Sequence, residues 1–263
     1  MNGTRQFNQN VHVAGQVIGA IILRNIRTRF GGSYRAYLIA IMWPYLHLVI
    51  VVSAYTLLGH TAPLGTDSVT YFAIALIPFI LYMYTMRGIS FSILKNRPLL
   101  YFPRVTIFDM LTASAILESL TGCAVCFVVV LSLILIGREF NPFDLSLVMV
   151  GFGGGLYFGI AVGIAWALVC GLWQGAAYLT NLWIISLYLA SGIVFLPDAL
   201  PHAARYWLSY NPLLQAVELA RAGYYPDFHS TVLDGGYLFW FSTILICVSL
   251  AAEAVARKFM PHH

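Results

Sequence analysis

The 263 residues are 60% hydrophobic and only 9% charged, with a mean hydropathy of +0.81 and a formal charge of +4. Soluble domains carry about a quarter charged residues, so these side chains are too few to coat a surface in water, and most of the exterior must face lipid. The same balance excludes a nucleic-acid binder, which needs a dense basic surface. It also leaves no room for a second soluble domain, because six spans of about 20 residues each and their connections use nearly the whole length.

Residues 11–29 read as an amphipathic helix. Ala14, Val17, Ile18, Ile21, Ile22 and Ile26 recur at helical spacing, and Arg24, Arg27 and Arg29 gather near its end. Such a helix lies in the membrane interface rather than crossing it. Its apolar stretch, 16–23, is short and precedes the arginines, the reverse of a cleavable signal peptide. Apolar runs then predict six spans, at 38–58, 70–86, 107–136, 145–170, 178–195 and 237–256. A polar loop, 87–104, broken by Pro98 and Pro103, separates the second from the third. Residues 196–236 are too polar and Pro-punctuated to span; 199–208 and 213–222 within them predict short re-entrant helices. The expected fold is an all-α integral membrane protein of six transmembrane helices. An interfacial amphipathic helix precedes them, and short extracytoplasmic re-entrant helices come before the last span. The chain divides into a cytoplasmic N-terminus (1–37), the membrane domain (38–256) and a cytoplasmic tail (257–263).

Orientation follows from the basic residues. With the N-terminus in the cytosol, Arg5, Arg24, Arg27, Arg29, Arg35, Arg87, Lys95, Arg97, Arg104, Arg257 and Lys258 all fall on that side. Only Arg138, Arg205 and Arg221 fall opposite, a strong positive-inside asymmetry that places both termini in the cytoplasm. In the fourth span, Gly151, Gly155, Gly159, Gly163, Ala167 and Gly171 recur every four residues. Such a smooth ridge admits another backbone closely, either within the chain or from a second copy. The run from Gly151 to Gly155 has no preceding strand and is not a dinucleotide loop.

Catalytic patterns are missing from the sequence. No phosphate-cradling G-x-x-x-x-G-K-[ST] occurs, and the only lysines are Lys95 and Lys258. Zincin, nucleophile-elbow and Cys/His metal patterns are also missing, so the expectation is no enzyme, no metal and no resident cofactor. Cys123, Cys126, Cys170 and Cys247 all sit in apolar segments and read as packing residues. Glu118, inside the third span, is either functional or a hydrogen-bonded packing group, since a charge at that depth is costly. Asp109 reads as interfacial. His47 reads as a pore-lining or helix-bonding group rather than a proton relay. Trp43, Tyr101, Trp207 and Trp240 suit interfacial belts. Tyr55, Trp166, Trp183 and Tyr188 lie deeper; packing is the plain reading, and flat rings also suit stacking on sugars. Residues 98–102, with Leu99, Leu100, Tyr101 and Phe102 after Pro98, predict a short helix that either docks a protein or rests on headgroups.

Three segments stand in a telling order: Arg24-Asn-Ile-Arg27-Thr-Arg29-Phe-Gly-Gly-Ser-Tyr-Arg35 with Trp43-Pro44 after it, Asn96-Arg97-Pro98-Leu99-Leu100-Tyr101-Phe102-Pro103-Arg104, and Tyr210-Asn211-Pro212-Leu213 followed by Glu218 and Arg221. With the length and span count, they resemble the permease subunit of ABC-2 type exporters, in the branch for capsular polysaccharide. The resemblance implies a half-transporter of the bacterial inner membrane that pairs with a second copy and with two ATPase subunits, which bind the ATP and Mg. It implies a coupling loop at Asn96–Arg104 and a gate helix whose Arg24, Arg27, Arg29 and Arg35 meet the phosphate of a lipid-linked polysaccharide. Tyr55, Trp166, Trp183 and Tyr188 would line the path, and Tyr210, Asn211, Pro212, Glu218 and Arg221 would form the periplasmic gate. A periplasmic co-polymerase and an outer-membrane conduit complete such systems. Two rivals stay open: the same fold with O-antigen, teichoic acid or a drug as cargo, and a proton-coupled carrier or intramembrane transferase using Glu118 and His47.

Overall fold

The computed structural model describes residues 2–30, 34–65, 67–138 and 140–256, and every regular element among them is helical. The tail 257–263 with Arg257 and Lys258, the stretch Gly31 to Ser33, and the side chains of Arg5 and Arg29 lie outside that description. The helices are α1 (Asn2–Phe30), α2 (Tyr34–Leu57), α3 (Ser68–Ser90), α4 (Ser92–Asn96), α5 (Ile107–Leu135), α6 (Leu145–Leu172), α7 (Ala176–Leu189), α8 (His202–Ser209), α9 (Pro212–Tyr224) and α10 (Gly235–Ala256). Tight 3-10 turns at Arg97–Tyr101 and Pro197–Ala199 join α4 to α5 and α7 to α8.

Their starts follow from local chemistry. Asp67 caps α3 by accepting from the amides of Val69 and Thr70, both at 3.2 Å. Thr106 and Asp109 form a capping box on α5, which makes Asp109 a helix-starting residue. Asp144 caps α6, and hydrogen bonds from Ser146 and the Leu147 amide hold its exposed carboxyl below the usual range. At α9, Asn211 accepts from the Leu213 amide and Pro212 occupies the first turn, where its missing N–H costs nothing.

Five helices are long and apolar enough to cross a membrane: α2, α3, α5, α6 and α10. The predicted fifth span is shorter than expected. Helix α7 has 14 residues, about 21 Å at 1.5 Å per residue, against a hydrocarbon core of about 30 Å. It stops at Leu189 because the chain turns there: Gly192 adopts a positive φ of 71°, and the carbonyls of Gly192 and Ile193 accept from Arg221 at 2.7 and 3.1 Å. The second span runs longer than predicted. No proline stands between Met86 and Pro98, and α3 continues through Arg87, with α4 following after a single turn residue.

Helix α3 lies at the centre and is almost wholly buried. It can approach α6 because the glycine ridge faces it. A Cβ on Gly159 would meet the Tyr82 carbonyl at 2.8 Å, and one on Gly163 would meet Ile89 at 2.9 Å; Gly155 opposes the Pro78 carbonyl. Gly151 instead receives α9, with the Ala216 carbonyl at 2.9 Å. The ridge therefore packs inside the chain. A large apolar cluster surrounds α3, and a second, with Ile21, Ile89, Ile93, Met110 and Leu168, fills the end of the bundle nearest α4.

The opposite end is tied by a buried ion pair. Arg221 donates to Glu218 at 2.9 Å, and both side chains are fully buried. The Arg221 guanidinium also lies 4.9 Å from the centre of the Tyr71 ring. α9 is thus fixed to the turn after α7 and to α3.

Two substitutions test this account. Gly159→Ala should lower stability by about 1–3 kcal/mol through overpacking, whereas Gly153→Ala, which faces open space, should not; thermal midpoints in detergent compare them. Arg221→Met should cost about 3–5 kcal/mol by leaving Glu218 buried and unpaired. Adding Glu218→Gln should recover part of that loss in the same assay.

Candidate functional site

The predicted site residues fall at both ends of the bundle and in a groove between them. At the α4 end, Pro98 opens the 3-10 turn Arg97–Tyr101. Leu99 and Leu100 pack inward against the second apolar cluster, beside Val17, Ile18 and Ile22 of α1. Tyr101 and Phe102 point outward, 67% and 61% exposed, and Pro103 and Arg104 are exposed beside them. The turn is therefore a firmly backed knob with an aromatic tip.

Helix α1 packs on α5 and α2 and reaches the end of α4 through a hydrogen bond. Arg24 donates to Asn96 Oδ1 at 2.9 Å, and Asn96, 2% exposed, donates in turn to the Ser92 carbonyl at 2.9 Å. Of the four arginines predicted to act together, Arg24 alone is shown joined to α4, while Arg27 and Arg35 are exposed elsewhere. A cavity of ≈ 370 Å³ opens between α1, α4 and α5, and Glu118 lines it. The Glu118 side chain lies directly over Gly88, where no larger residue would fit.

The deep aromatics form two separate pairs. Tyr55 and Tyr188 share a hydroxyl hydrogen bond of 2.7 Å. Trp166 stacks on Trp183 with centroids 6.0 Å apart, and their indole N–H groups donate to Thr180 at 2.9 Å and Tyr82 at 3.0 Å. Only the tryptophan pair lines the apolar groove of ≈ 460 Å³ that runs to Trp207, Tyr210 and Pro212. His47 bonds to Tyr84 at 3.3 Å, joining α2 to α3.

At the α9 end, Tyr210 is half exposed. Asn211 caps α9 and also donates to the Ala190 carbonyl at 2.8 Å, while Glu218 and Arg221 are buried in their ion pair. Gln215 was not singled out by sequence reasoning. Fully buried, it donates to the carbonyls of Ser209 and Val232 at 2.7 and 2.9 Å and accepts from the Asp234 amide at 2.7 Å. An amide isolated among the apolar residues from Leu213 to Val217 was its signal. Among the described residues, no group of three or more His, Cys, Asp or Glu gathers to hold a metal.

No family model matches the chain. Individual proteins do. It is 26% identical over 243 residues to the polysialic acid transport protein KpsM of Escherichia coli, covering 92% of this chain and 94% of that protein. It is 24% identical over 258 residues to the capsule polysaccharide export inner-membrane protein CtrC of Neisseria meningitidis serogroup B, covering 96% and 95%. The serogroup A CtrC is 23% identical over 272 residues, with coverage of 96% and 95%. Over more than nine-tenths of its length, the chain is a homologue of the KpsM and CtrC export proteins, in line with its resemblance to ABC-2 type permeases.

Proposed function

We propose that this chain is the permease subunit of an ATP-driven exporter that carries a capsular, lipid-linked polysaccharide across the inner membrane. The observation that carries the reading is similarity along nearly the whole length to proteins named for capsule polysaccharide export and polysialic acid transport. The chain has no phosphate-cradling loop, so two ATPase subunits supply ATP and Mg, and a second copy completes the passage. A periplasmic co-polymerase and an outer-membrane conduit take the polymer onward.

The chain crosses the membrane six times, with both termini in the cytoplasm. The turn after α7 meets Arg221 and Asn211 of α9, and the α6 start meets Gly223 of α9, with the Asp144 amide donating to the Gly223 carbonyl at 2.8 Å. This supports α7 as a sixth pass, its short helix extended by the turns at its ends, because it returns the chain to the end where α6 began. It also supports α9 as a re-entrant element of the segment 196–236. The basic α4 end then faces the cytosol, where residues 87–104 couple to the ATPase through the Tyr101–Phe102 tip. The cargo passes the Trp166–Trp183 groove towards Tyr210 at the outer gate, with Tyr55 and Tyr188 beside it and the Glu218–Arg221 pair bracing that gate.

Affinity purification in mild detergent tests the reading. An ATPase subunit should accompany the chain. Tyr101→Ser with Phe102→Ser should cut its recovery about tenfold or more, the usual cost of removing aromatic anchors, without changing the thermal midpoint. Undiminished recovery would refute the docking role, and export reconstituted from the chain alone without nucleotide would refute the permease assignment.

A further inference from the structure

A further cavity, of ≈ 430 Å³, lies at the α9 end between α8 and the segment 231–237. That size falls within the roughly 300–1,000 Å³ usual for small-molecule sites. Its walls are aromatic. Tyr206 of α8 and Tyr210 just after it are each 51% exposed, and their rings meet at 82° with centroids 5.4 Å apart. Tyr237 of α10 stands at 85° to Tyr210, 6.3 Å away. The floor is already satisfied. Gln215 spends both N–H groups and its carbonyl on backbone. Arg205 is spent on structure too, donating to Thr231 at 3.2 Å and to the Leu200 carbonyl at 3.3 Å, with Asp198 at 3.6 Å balancing its charge. What remains for a ligand is one acceptor and one donor. Asp234 is exposed and uses Oδ1 on the Tyr237 amide at 2.9 Å, which leaves Oδ2 to accept. The Tyr210 hydroxyl donates to that of Tyr206 at 3.0 Å, which leaves the Tyr206 proton to donate.

We propose that this cavity is a saccharide subsite, in which an uncharged sugar ring stacks on Tyr206 and Tyr210 while Asp234 turns acidic sugars away. The class follows from the lining. The negative face of an aromatic ring attracts the C–H groups on one side of a pyranose. Hydroxyls around the sugar's rim both donate and accept, as Asp234 and Tyr206 require. A purely apolar ligand would cover Asp234 Oδ2 without giving it a donor, which is costly. An anion would meet Asp234 as the uncompensated charge, since Arg205 is balanced by Asp198 and His202, counted neutral at pH 7, adds none. Tyr210 also lines the groove of Trp166 and Trp183, so the subsite adjoins the path assigned to the cargo. Its use by an exported polymer rests on the export reading; sugar binding to the chain itself does not.

The test titrates the purified full-length chain in phosphatidylcholine nanodiscs, free of sugar-based detergent, with methyl β-glucoside and methyl β-glucuronide. The two differ only in an exocyclic alcohol against a carboxylate, and saturation-transfer NMR reads their binding. The glucoside should bind, and the glucuronide about tenfold more weakly. Asp234→Asn should bring the glucuronide to within about threefold of the glucoside. Asparagine still caps a helix, so the thermal midpoint should hold. Tyr206→Leu should weaken glucoside binding about fivefold, whereas Tyr178→Leu, at an exposed ring on α7, should not. No transfer to the glucoside, equal binding of the two glycosides, or unchanged affinity in Tyr206→Leu would overturn the site. The two readings fail separately. A chain that recruits an ATPase but binds no glycoside loses the subsite alone, and one that binds the glucoside but recruits no ATPase loses the export reading alone.

Discussion

Backbone contact between α3 and α6 is the constraint on which the rest of the structure depends. In lipid the hydrophobic effect does not drive helices together, so association relies on close packing and satisfied polar groups. Gly155, Gly159 and Gly163 supply the packing by letting the α3 backbone at Pro78, Tyr82 and Met86 reach α6. Residue numbers rise together along both helices, so the two run parallel, as a chain with α5 between them requires. Gly151 extends the same face to α9, and Gly223 of α9 returns the contact at Val148. One stripe of small residues thus organises three helices.

Polar groups finish what the glycines begin, and they do so at the ends. Arg221 satisfies the backbone where α7 stops, and Gln215 satisfies it where α8 and the 230–234 segment meet α9. At the other end Asn96 and Arg24 play the equivalent part, between α4 and α1. Each is a long-range polar tie in an otherwise apolar setting, where an unsatisfied group is expensive. The middle of the bundle is left to aromatic and aliphatic packing, including the tryptophan pair over the groove.

Local patterns were legible in the sequence; partners were not. The spacing from Gly151 to Gly163 announced a close approach, but nothing in it named α3 rather than a second copy. The amphipathic stripe of α1 was readable, and Ile21 with Val17, Ile18 and Ile22 does face the core. Its anchor, however, is Asn96, 72 residues away. Pro98 correctly marked a short helical turn, yet the preceding residues were read as loop because Arg87, Lys95 and Asn96 look polar. They continue a helix whose inner face is Ile89, Ser90, Ser92 and Ile93. The early stop of α7 was likewise invisible: 178–195 carries no charge and no proline, and what holds the turn that ends the helix is Arg221, supplied from α9. Asn211-Pro212 was a readable helix start, whereas the partnering of Tyr55 with Tyr188 was a matter of tertiary geometry alone.

These ties also divide the molecule into a stiff part and a looser one. α3, α6 and α9 are locked backbone to backbone, and close-packed interiors pass strain along rather than absorb it. α4 and the Arg97–Tyr101 turn continue directly from α3, so a force applied at Tyr101 and Phe102 is passed to that whole unit. α2, α7 and α10 instead expose long apolar faces, through residues such as Ile39, Ile50, Tyr178, Leu182 and Ile244, and α7 meets the core chiefly through aromatic contacts near Trp183 and Tyr188. Both α7 and α10 border this unit. That border is the groove lined by Trp166, Trp183, Trp207 and Phe241. On the proposed export reading, a passage placed there changes shape when the Arg97–Tyr101 turn moves, without any of the glycine contacts having to break.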